Sequence, residues 1–81
     1  MPTKPGQDRS HEPARTRLAH LGDRELEVAR AIGQGKTNAE IAAALYLSIP
    51  TIKTHVSTIL TELELTNRVQ IALLIHNANQ Q

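Results

Sequence analysis

The 81-residue chain contains no Cys, no Phe and no Trp, and a single Tyr. The lack of Cys excludes disulfides, thiolate metal sites and thiol catalysis, and nothing calls for an oxidising compartment. Without a set of aromatics there is no platform for stacking single-stranded nucleic acid. A core must then come from Leu, Ile, Val and Ala, and the length allows one small domain. No apolar run approaches the roughly 18 to 20 residues that cross a bilayer, and the N-terminus lacks the apolar centre of a signal peptide, so a soluble cytoplasmic protein is the expectation. Charge is also scarce, with a net +1. Residues 1–20 carry four Lys/Arg against two acids, residues 21–47 three against four, and residues 48–81 two against two. The whole-chain field thus does little to attract a polyanion.

What the chain does contain is a run of helix signals centred on Thr37 to His55, TNAEIAAALYLSIPTIKTH. Thr37 and Glu40 have capping-box spacing, in which the hydroxyl and the carboxylate each satisfy a backbone N–H of the first turn. Ile41, Ala42 and Leu45 follow. Ser48 opens a second helix, with Pro50 in its first turn and Leu47 and Ile52 spaced as a hydrophobic staple. Only Tyr46 and Leu47 separate the two. This is the outline of a helix-turn-helix, whose second helix can lie in the major groove of DNA.

Around it, residues 1–20 carry Pro2, Pro5, Gly6 and Pro13 with few apolar residues. They are expected to be a disordered arm or linker: a solvated tail, or a basic arm following a groove. A first helix is predicted from Asp23 to about Gln34, with Gly22 as cap, Leu21 and Leu26 as staple, and an inner face of Leu26, Ala29 and Ile32 helped by Val28. Gly33 and Gly35 are expected to end it by allowing a left-handed residue. The third helix, Ile49 to about Leu63, has an apolar stripe of Ile52, Val56, Ile59, Leu60 and Leu63. Opposite lie Thr54, Ser57, Thr58 and Thr61, edged by Lys53, His55 and Glu62. Hydroxyls and methyls can meet bases and phosphates in a groove; the same face also suits plain solvation. Thr66 is read as the cap of a fourth helix over residues 67–78, which has two apolar stripes. Val69, Ala72 and Leu73 are assigned to the inside. Ile71, Leu74, Ile75 and Ala78 are left as a surface for a second copy, or else form a wider inward face. Residues 79–81 are a tail. The expected architecture is all-α, a four-helix bundle containing a helix-turn-helix.

From Leu21 to about Ala78 the sequence resembles the LuxR-type (NarL- or GerE-type) DNA-binding domain of bacterial transcription regulators, including response regulators of two-component systems. The matching residues are Leu21, Arg24, Glu25, Glu27, Val28, Gly35, the TNAEIA run of Thr37 to Ala42, Leu45, Ser48, the TIKTH run of Thr51 to His55, Ile59, Leu63, Arg68 and Ala72. The resemblance implies double-stranded DNA as partner, with the third helix in the major groove and the fourth helping a homodimer hold two half-sites. It implies base or nearby phosphate contact for Lys53, Thr54 and Ser57, a place at the helix edge for His55 that suits phosphate contact or structural support as well as base contact, and backbone contact for Thr37, Asn38 and Arg68. Thr51 and Thr58 complete the candidate set, and RNA polymerase is a candidate partner. Most members carry a receiver or ligand-sensing domain upstream, so the chain is expected to be an excised output domain or a short stand-alone member. Three positions depart from the family pattern: Gly22 stands for the usual Thr cap, Glu62 for a Lys close to DNA, and Glu64 for a Gly at the helix end. With Lys53 the only basic side chain between Ser48 and Asn67, weak monomer binding and a shallow salt dependence are expected.

Two rival readings remain: a helical protein-interaction module without DNA binding, and a domain like region 4 of a sigma factor. Enzymatic chemistry has no foothold. The four His residues lack metal-ligand spacing, no Ser has a neighbouring His in a recognisable nucleophile motif, and Gly33 and Gly35 follow a helix rather than a strand. No cofactor and no metal are expected.

Overall fold

Cap chemistry places the starts of three helices. In the computed structural model, which describes residues 12–80, five helices and no strand are present among those residues: α1 (Ala14–Leu18), α2 (Asp23–Gly33), α3 (Asn38–Leu45), α4 (Ile49–Glu62) and α5 (Arg68–Asn79). Thr37 caps α3 with a full capping box: the Glu40 N–H donates to Thr37 Oγ1 at 3.1 Å, and the Thr37 N–H donates to Glu40 Oε1 at 2.8 Å. Ser48 Oγ accepts from the Thr51 N–H at 3.2 Å to start α4. The start of α5 differs from the sequence reading. Asn67, not Thr66, is its cap, because Asn67 has Gln70 at the third helical position and the two close a reciprocal box; Thr66 has Val69 there. Thr66 instead donates its N–H and its hydroxyl to Gln70 Oε1.

Three helix ends share one solution. After α2, α3 and α4 the chain turns through a left-handed residue, and the next N–H reaches back to a carbonyl five residues earlier: Lys36 to Ala31, Leu47 to Ala42 and Leu65 to Leu60, at 3.2, 2.9 and 2.8 Å. The left-handed residue is Gly35 in the first case, with φ 83°, but Tyr46 and Glu64 in the others, with φ 58° and 57°. Gly35 thus does the turning expected of the glycine pair. Gly33 does something else: it is still helical, and a Cβ there would lie 2.5 Å from Ile75 Cγ2. It lets α5 lie close against α2.

The core collects Val28, Ala29 and Ile32 of α2, Ile41 of α3, Ile52 and Ile59 of α4, Leu63, and the stripe Ile71, Leu74, Ile75 and Ala78 of α5. This corrects the assignment of α5. The four residues reserved for a second copy are 0, 6, 6 and 8% exposed within one protomer, whereas Val69 and Leu73 are 65 and 55% exposed. Both α1 and α2 pack on α5 and cover the stripe that was left unpartnered.

The expected arm over residues 1–20 is also corrected in part; residues 1–11 lie outside the described residues. Ala14 and Leu18, one helical turn apart, are buried, and Arg17 Nη2 donates to the Leu63 carbonyl at the C-terminus of α4, at 2.7 Å. A five-residue helix is unstable by itself. Docking on α5 holds it. With α1 added, the bundle has five helices rather than four.

Candidate nucleic-acid interface

The helix-turn-helix is α3, the Tyr46–Leu47 turn and α4. Ile52 and Ile59 are fully buried and Val56 and Leu60 half-buried, which anchors one side of α4 and turns Lys53, Thr54, Ser57, Thr58 and Thr61 to the exterior. Their hydroxyls are not equivalent. Thr54 Oγ1 donates to the Pro50 carbonyl at 3.2 Å, and Thr61 Oγ1 donates to the Ser57 carbonyl at 3.0 Å. These back-bonds use the hydroxyl protons within the helix, leaving each oxygen able to accept. Thr51 shares a 2.8 Å hydroxyl–hydroxyl hydrogen bond with Ser48 and is half-buried, so it belongs to the cap. Among the described residues, the side chains of Lys53, Ser57 and Thr58 form no intramolecular hydrogen bond. They are the polar side chains of this face with donors to offer outward.

His55 is half-buried at the edge of α4, with Nδ1 3.2 Å from Glu25 Oε2 on α2. Of the alternatives the sequence allows, the structure favours support: the ring ties α4 to α2. At the start of α3, Thr37 is exposed and Asn38 half-buried. Arg68, at the first position of α5, is half-buried and turned inward. It donates through Nη1 to Asn38 Oδ1 and through Nη2 to the Lys36 carbonyl at 2.7 Å. Three of the sequence-derived candidates, Asn38, His55 and Arg68, are therefore joined to other elements. The partners Glu25 and Lys36 were absent from the candidate set, because each pairing spans about 30 residues and leaves no local signal.

A groove of about 210 Å³ is lined by Ile32, Gly35, Lys36, Arg68, Val69 and Ala72. No group of His, Asp and Glu among the described residues could hold a metal ion, and none of their helices is long and apolar enough to cross a membrane.

Comparison with known proteins agrees with this geometry. The chain is 48% identical over 63 residues to the uncharacterized transcriptional regulatory protein YhcZ of Bacillus subtilis, covering 78% of this chain and 29% of that protein. It is 39% identical over 71 residues to the transcriptional regulatory protein LiaR of the same organism, covering 75% and 34%. With the response regulator protein VraR of Staphylococcus aureus it shares 42% over 59 residues, covering 73% and 28%. The chain thus spans about a third of the length of these relatives. The profile of the family described as bacterial regulatory proteins, luxR family, matches residues 19–75, which include all of α2, α3 and α4 and most of α5. The chain belongs to the luxR family of bacterial regulatory proteins, as a DNA-binding helix-turn-helix domain of transcription regulation and not as an enzyme.

Proposed function

We propose that this domain is the output element of a cytoplasmic response regulator, placing α4 in the major groove of a specific duplex site, with two copies on an inverted repeat. The observation that carries this reading is the outward face of α4. Lys53, Ser57 and Thr58 project from a helix whose opposite stripe is locked in the core, so the face can enter a groove without rearrangement. Lys53 supplies the charge contact, and Ser57 and Thr58 the donors. The oxygens and methyls of Thr54 and Thr61 accept from base edges or meet thymine methyl groups. At the first turn of α3, beside the exposed Thr37, Asn38 and Ala39 present their backbone N–H groups to phosphate.

A second copy fits the exposed pair Val69 and Leu73, one helical turn apart on α5 and next to the groove that Val69 lines. RNA polymerase is the downstream partner of a regulator assembled in this way. The test is Lys53→Ala in a salt series on duplex DNA. Loss of one phosphate contact lowers the slope of log K against log salt by about 1. Binding that is unchanged by this substitution, or absent at low salt, would leave a protein-interaction module as the better account.

A further inference from the structure

Arg68 occupies a position for which family resemblance implies a phosphate contact, yet both ends of its guanidinium fork are engaged within the protein. Nη2 donates to the Lys36 carbonyl at 2.7 Å, and Nη1 donates to Asn38 Oδ1. A guanidinium has donors and no acceptor, so the Asn38 atom facing it must be the amide oxygen. The orientation of an Asn amide is ordinarily ambiguous; here its partner sets it. Asn38 is the first residue of α3, beside the capping box in which Thr37 and Glu40 satisfy each other's N–H groups. With Oδ1 held by Arg68, the amide has its Nδ2 donors left to offer. By helix geometry the backbone N–H groups of Asn38 and Ala39 also lack partners inside α3. Next to the Glu40 carboxylate, whose Oε1 accepts the Thr37 N–H at 2.8 Å, this corner therefore offers several donors to an acceptor such as a phosphate oxygen.

We propose that Arg68 is a positioning residue rather than a phosphate ligand. It fixes Asn38 in the donor-outward orientation and, through the Lys36 carbonyl, steadies the loop that leads into α3. The inference rests on the DNA-binding reading above and deepens it. The ligand at this corner is one backbone phosphate, held by neutral N–H groups, and the nearby Arg acts through Asn38.

The experiment is a double-substitution cycle on the full chain, with binding to a duplex enriched from random DNA measured by fluorescence anisotropy across a salt series. Asn38→Ala and Arg68→Met are each expected to weaken binding about tenfold, the scale of one lost hydrogen bond. The double variant should stay near tenfold rather than reach the hundredfold of independent contacts, with the salt slope held at the wild-type value throughout. Urea unfolding of each variant reports on the fold. If Arg68→Met does not fold, Arg68→Lys replaces it: the charge stays but the fork is lost, so the same tenfold weakening is expected. Losses that multiply, a slope lower by about 1 in Arg68→Met, or wild-type affinity in Arg68→Lys would each overturn the assignment while leaving DNA binding intact. A wild-type chain that binds no duplex at low salt would overturn the DNA-binding reading, and this assignment with it.

Discussion

His55 Nδ1 on α4 lies 3.2 Å from Glu25 Oε2 on α2, with both side chains about three-quarters covered. The contact ties α4 to α2 beside the buried Ile52 and Ile59 that turn the opposite face of α4 outward. His55→Ala and Glu25→Ala should each cost about 1 kcal/mol, the usual net worth of such a hydrogen bond. The double variant should cost clearly less than the sum, because the two groups serve one contact. Urea denaturation of the three variants checks this.

The glycines and their non-glycine counterparts should respond with opposite signs. Gly33→Ala would place a methyl 2.5 Å from Ile75 Cγ2, so α2 and α5 must separate, at about 1–3 kcal/mol. Gly35→Ala meets no atom within 4 Å but keeps φ 83°, and the left-handed conformation costs an L-residue about 1 kcal/mol. Glu64→Gly removes that same strain at φ 57° and should stabilise by about 0.5–1 kcal/mol. Thermal midpoints give all three signs in one experiment.

Charge on α5 should separate folding from self-association. Leu74 and Ile75 are each 6% exposed, so Leu74→Glu or Ile75→Glu buries an unpaired carboxylate and should unfold the domain. Leu73, 55% exposed, should tolerate Glu with native helicity while losing any concentration-dependent dimer. Circular dichroism and sedimentation equilibrium distinguish the two outcomes.

Helix α1 should behave as a docked part of the domain. Arg17→Met removes the hydrogen bond to the Leu63 carbonyl and should destabilise by about 1 kcal/mol. Deleting residues 1–20 also uncovers the α5 surface that Ala14 and Leu18 bury, and should cost more. Denaturant midpoints of the two variants, compared with the intact chain, provide the check.

The sequence was most informative where structure is local. Thr37 with Glu40, and Ser48 with Pro50, mark two helix starts through chemistry within three residues, and Asn67 with Gln70 carries the same signal one residue after Thr66. The stripe of α4 was equally legible, because a single apolar face admits one orientation toward a core. Helix α5 was not, since it has two stripes and their periodicity is the same whichever faces inward. That choice is made by α2, which Gly33 admits closely, and by α1, whose five residues carry no side-chain cap. Lys53, Ser57 and Thr58 could be read from the wheel. The ties of His55 to Glu25, and of Arg68 to Asn38 and Lys36, could not, because they exist only once the chain has folded.

Selection of bound duplexes from random DNA by the intact chain, with the enriched sites sequenced, tests the central claim most directly. The account predicts an inverted repeat whose half-sites are separated by about one helical turn, and loss of enrichment with Lys53→Ala. Failure to enrich any sequence at low salt would contradict DNA recognition by α4, and a lone half-site would contradict the paired arrangement.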